Sequence, residues 1–110
     1  MRQAEIYYNN NLAGILVETN DGIYTFQYNE EYIEKHPKDF LSFSMPVRKN
    51  IYKDKRLFAF FEGLIPEGWL LNIASKNWKI NPNDRMGLLM ACCSDCIGAV
   101  SIKPINNNDE

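Results

Sequence analysis

The sequence predicts an α+β domain: a small antiparallel β-meander, then two to three short helices and a C-terminal strand. Three observations carry that expectation. Alternating apolar residues broken by turn-formers fill 4–28, helical spacing with proline punctuation takes over from Phe58, and a last alternating stretch, 98–103, closes the pattern.

Residues 4–8 (AEIYY) and 12–18 (LAGILVE) read as strands joined across Asn9-Asn10-Asn11, because asparagine tolerates the positive φ of a tight hairpin turn. Asn20-Asp21-Gly22 is a second turn. Residues 23–28 then place Tyr24, Phe26 and Tyr28 on one face and Ile23, Thr25 and Gln27 on the other. A short helix over 30–36 ends before Pro37. The alternation in LSFSMPV, 41–47, predicts an edge strand or extended segment interrupted by Pro46, and RKNIYKDKR, 48–56, reads as a basic, solvent-facing loop.

The densest apolar stretch follows. Phe58, Phe60, Phe61, Leu64 and Ile65 precede Pro66, and Trp69, Leu70, Leu71 and Ile73 follow it, so two short helices are expected to meet at the corner Ile65-Pro66-Glu67-Gly68. On the second, Leu70, Leu71, Ala74 and Trp78 form the core stripe, with Asn77 a polar intruder. At about 100° per residue Trp69 lies roughly 150° from the centre of that stripe, with Ile73 beside it. Trp69 is therefore expected to face outward. Gly68 in a first helical turn costs roughly 1 kcal/mol against alanine, which points to a close backbone approach. A third helix is predicted from Asn81 as cap, Pro82 at the first position and Asp84 in the first turn, with Met86, Leu89, Met90 and Cys93 facing the core. Pro104 marks the expected end of the domain, 1–104, before a polar tail, 105–110.

Composition excludes several functions. A chain of 110 residues and 12.8 kDa holds one modest core and no catalytic kinase. Its net charge is −2 and its basic residues are scattered, so direct nucleic-acid binding is not expected. No apolar run has the length of a signal peptide or a membrane helix, and a cytoplasmic protein follows as the expectation. Cys92, Cys93 and Cys96 form an odd cluster, read as reduced thiols. Cys93-Ser94-Asp95-Cys96 supplies two zinc ligands where four are needed, and His36, read as an exposed loop residue, does not complete the set. No metal or cofactor is expected. Glu62 and Glu67 lack any further catalytic group, and no phosphate loop, catalytic His-Arg-Asp or Asp-Phe-Gly is present, so the chain reads as non-enzymatic.

Three motifs carry a family resemblance. Leu41-Ser42-Phe43-Ser44-Met45-Pro46 resembles a Leu-Ser-x-Ser-x-Pro segment, Phe60-Phe61-Glu62-Gly63-Leu64-Ile65-Pro66-Glu67-Gly68 a Phe-Phe-x-x-Leu-x-Pro-Glu-Gly signature, and Asp95-Cys96-Ile97-Gly98-Ala99 an Asp-x-x-Gly-Ala element, all of the N-terminal subdomain of HipA-type serine/threonine kinases. A separate copy of that subdomain is similar to the HipS-like antitoxins of HipB–HipS–HipT toxin–antitoxin systems. The resemblance implies a HipT-like serine/threonine kinase as partner, and a HipB-like helix-turn-helix protein as a third, indirect one. Because Trp69 falls off the core stripe at a helix start, it reads as a rigid interface anchor displayed by Pro66, Glu67 and Gly68, with Ile73, Phe61 and Glu62 as further partner-binding residues, and it is expected to insert into or beside the active site of that kinase. Two alternatives stand beside this reading: a non-inhibitory subdomain stabilising a kinase–HipB complex, and a thiol redox or metal module on Cys92, Cys93 and Cys96.

Overall fold

The computed structural model describes residues 1–65, 83–92 and 99–105. Five strands form one antiparallel sheet: β1 (Arg2–Tyr8), β2 (Asn11–Glu18), β3 (Tyr24–Tyr28), β4 (Tyr52–Asp54) and β5 (Val100–Ile105). Their order across the sheet is β4-β3-β2-β1-β5, so the last strand returns to pair with the first. Three short helices are described: α1 (Glu30–Lys35), α2 (Ala59–Glu62) and α3 (Arg85–Cys92). The α+β class and the opening meander agree with the expectation from sequence.

Local chemistry explains the hairpins. Asn9 (φ 51°) and Asn10 (φ 69°) alone form the β1–β2 turn, with Tyr8 paired to Asn11. Gly22 (φ 81°) closes the β2–β3 turn in a conformation that disfavours side chains. A bulge between Ile6 and Tyr7 shifts the register, so Ala13 and Gly14 are buried in succession, and the Ala13 carbonyl accepts the Asn29 N–H at 2.7 Å. Gly14 is required there: a Cβ would lie 2.7 Å from Cζ of Phe26.

The inward positions of the strands, Ala4, Ile6, Leu16, Phe26 and Ile102, share a core with Phe61, Met86, Leu88 and Leu89 from the helices. Tyr24, Phe26 and Tyr28 are all buried, as their spacing predicts.

Four local expectations need correction. Residues 41–47 are not a strand: only Ser42 and Met45 bridge, across a turn, with Leu41 and Met45 both buried. The Tyr28 hydroxyl closes that turn, accepting the Leu41 N–H at 3.1 Å and donating to the Met45 carbonyl. The fourth strand lies instead at 52–54, inside the stretch read as a loop, where Tyr52 pairs with Phe26 and its hydroxyl donates to the Pro46 carbonyl. The third helix starts at Arg85, with Asn83 and Asp84 still outside it, and Asp84 is its cap rather than a first-turn residue: one carboxylate oxygen accepts the Gly87 N–H at 3.2 Å; the expected cap Asn81 and first position Pro82 lie outside the described residues. Finally, β5 continues through Pro104, which sits opposite Ala4; a strand at the sheet edge tolerates a residue without an N–H.

Candidate functional site

The described part of the candidate site is the platform that leads into Pro66. Helix α2 is one turn long, too short to persist by backbone bonding alone, so tertiary contacts must hold it. Phe61 supplies the first. Its side chain is fully buried, with ring centroids 5.7 Å from Phe26, 6.3 Å from Phe58 and 5.2 Å from Phe60. Phe61 was expected to meet a partner; the fold uses its ring inside the core. Ile65, next to the corner, is buried as well, while the Leu64 and Ile65 amides bond back to Phe61 and Glu62.

Glu62 supplies the second anchor. Arg85 of α3 grips its carboxylate in a fork, Nε at 3.2 Å from both oxygens and Nη2 at 2.9 Å from Oε1. Two parallel charge-assisted bonds fix orientation as well as distance, so Glu62 joins α2 to α3. Expected as a partner contact, Glu62 has a cation within its own chain.

Helix α3 is held in turn by the N-terminal strand. Arg2 donates through Nη1 and Nη2 to Asp84 at 2.9 and 2.7 Å, and through Nε to Glu18 at 2.8 Å. The Arg2 bonds, supported by the Gly87 amide and opposed by partial burial, pull the Asp84 carboxyl below its ordinary value. The bond to Asp84 likewise raises the Arg2 guanidinium. Tyr24 donates to the free oxygen of Glu18 at 3.1 Å, and burial followed by that bond pushes its phenol up to about 12. Arg2 and Asp84 lie 82 positions apart, and no short-range pattern connects them.

The remaining site residues, Pro66, Glu67, Gly68, Trp69 and Ile73, lie outside the described residues, as do the stripe Leu70, Leu71, Ala74 and Trp78, and the thiols Cys93 and Cys96. His36 terminates α1, its amide bonding to the Tyr32 carbonyl and its Nδ1 standing 3.2 Å from Asp39. Among the described residues no cluster of three or more His, Cys, Asp or Glu side chains is placed to hold a metal ion, and no helix is long and apolar enough to cross a membrane.

The chain is similar to known proteins along nearly its whole length. An uncharacterized protein of Haemophilus influenzae is 29% identical over 103 residues, covering 94% of this chain and 92% of the relative. Among solved structures, the N-terminal domain of HipA toxin superposes with a TM-score of 0.74 at 23% identity, covering 98% of this chain and 96% of that one. That likeness establishes the shared fold. The family described as HipA N-terminal domain matches residues 4–103, and the chain belongs to that family.

Proposed function

We propose that this chain is a non-enzymatic protein-binding module, an antitoxin that binds a HipT-like serine/threonine kinase and suppresses it. The observation that carries the reading is the family match over 4–103 in a sequence without a phosphate loop, a catalytic aspartate motif or a metal-binding aspartate motif. The Haemophilus influenzae relative supports it, because the match with this chain spans 92% of that protein's length.

In this proposal the corner Pro66-Glu67-Gly68 presents Trp69 at the kinase active site, with Ile73 on the same helix face. The fastening of α2 supports the idea physically. A tryptophan anchor binds well when its base is already ordered, since less entropy is lost on association. Phe61 inside the core and Glu62 forked by Arg85 provide such a base immediately before Pro66. A HipB-like protein belongs to the proposed complex through the kinase rather than through direct contact.

Calorimetric titration of a HipT-like kinase with the wild-type chain and with Trp69→Ala tests the proposal. Loss of a central tryptophan anchor weakens binding by at least about 30-fold while the far-ultraviolet spectrum is unchanged. Equal binding of a folded Trp69→Ala variant removes Trp69 from the interface.

A further inference from the structure

The turn between α1 and β4 holds out a phenylalanine that the fold does not bury. Phe43 is 92% exposed, although Leu41 and Met45 on either side are buried. The turn is well fastened: the Tyr28 hydroxyl bonds to the backbone of both Leu41 and Met45, and the Ser42 hydroxyl accepts the Ser44 N–H at 3.3 Å. The ring of Phe40 stands 5.1 Å from that of Phe43. On this fastened turn the Phe43 ring meets Phe40 and otherwise leaves its apolar surface in water, where burial against a partner would be favourable.

The same turn walls a groove of about 330 Å³, Ser44 and Met45 on one side, Tyr52 and Phe58 offering aromatic surface, and Arg48 and Lys53 outweighing the single acid, Asp54, in its lining. The Arg48 guanidinium lies 3.7 Å from the Tyr52 ring centre. Although basic residues are scattered over the rest of the chain, five of its twelve fall in this one stretch. Residues 48–56 contain Arg48, Lys49, Lys53, Lys55 and Arg56 against a single acid, Asp54, a net +4 in a chain whose net charge is −2. All five basic residues are exposed, and among the described residues none of them forms an ion pair.

We infer that this face is a second docking surface, for a protein segment that carries acidic side chains around an apolar pocket or residue. Phe43 inserts into the apolar part, and Arg48 and Lys53 meet the carboxylates. Charge complementarity selects the acidic partner. The exposed phenylalanine and the aromatic groove favour protein over a nucleic-acid backbone, whose phosphates offer nothing to a phenyl ring.

Selection of random displayed peptides of about twelve residues on the immobilised chain tests this, with Phe43→Ala and Lys53→Glu proteins as counter-screens. Phe43 and Lys53 are exposed, and circular dichroism verifies that both variants fold. The expected result is enrichment of peptides with Asp or Glu flanking a bulky apolar residue, each losing at least roughly tenfold in affinity on either variant. The inference is overturned if no enriched peptide depends on Phe43, if the dependent peptides carry no acidic excess, or if a short DNA duplex competes for the same residues in place of peptide.

Discussion

Replacing Gly87 with alanine sets two effects of known sign against each other. Alanine at an exposed helical position is worth about 1 kcal/mol over glycine. In this fold, however, a Cβ at position 87 would stand 2.9 Å from Cγ of Asp84 and 3.2 Å from Nη1 of Arg2. The Asp84 carboxylate must swing aside, giving up its bond to the Gly87 amide and its fork with Arg2. The lost cap costs about 1 kcal/mol and the part-exposed ion pair about 0.5–1 kcal/mol. Gly87→Ala therefore lowers stability by about 0.5–1 kcal/mol. In an Asp84→Ala background the carboxylate is gone and only the flexible tip of Arg2, at 3.2 Å, has to give, so the same substitution raises stability, by up to about 1 kcal/mol. Urea unfolding of the four proteins, read as midpoints at constant slope, measures the cycle. An increase of about 1 kcal/mol for Gly87→Ala in both backgrounds refutes the account of how α3 is fastened.

Other perturbations follow from the same contacts. Phe61→Ala empties the centre of the aromatic cluster and costs about 3–5 kcal/mol in urea unfolding; a loss below about 1 kcal/mol contradicts its place in the core. Tyr28→Phe strips the Leu41 amide and Met45 carbonyl of their partner and costs about 1–3 kcal/mol, whereas an unchanged midpoint shows that the turn is held by other means. Asp84 titrates below an unfolded aspartate, so its contribution is present above about pH 4 and is lost as pH falls through the folded value. Asp84→Asn accordingly flattens the acid arm of the stability profile, and an unchanged arm argues against the Arg2 pairing. At the alkaline end, burial holds the Tyr28 phenol up to about 12; its contribution is intact below the unfolded value near 10 and is lost as pH rises from there towards 12.

What could be read in the chain was local. Asn9 and Asn10 tolerate positive φ on their own account, and Tyr24, Phe26 and Tyr28 alternate because one side of β3 meets the core. The errors are non-local. Nothing within 48–56 marks Tyr52 as a strand residue; its partner is Phe26, and Tyr28 turns the apparent alternation of 41–47 into a latch. Leu88 escaped the predicted stripe because α3 touches both β5 and α2, which buries a wider arc than one helical seam. In the candidate site, the aromatic density before Pro66 was plain in sequence, but its division was not. Phe61 faces inward and Glu62 sideways to Arg85, and that choice depends on residues of β3 and α3. The outward expectation for Trp69 lies outside the described residues and rests on helical spacing alone.

The proposed antitoxin role meets its most direct test in the activity of a HipT-like kinase titrated with this chain. Phosphate transfer is predicted to fall to background as the chain reaches saturation, and to stay at the uninhibited level with a folded Trp69→Ala variant. Full kinase activity with the wild-type chain bound at saturation would contradict the role.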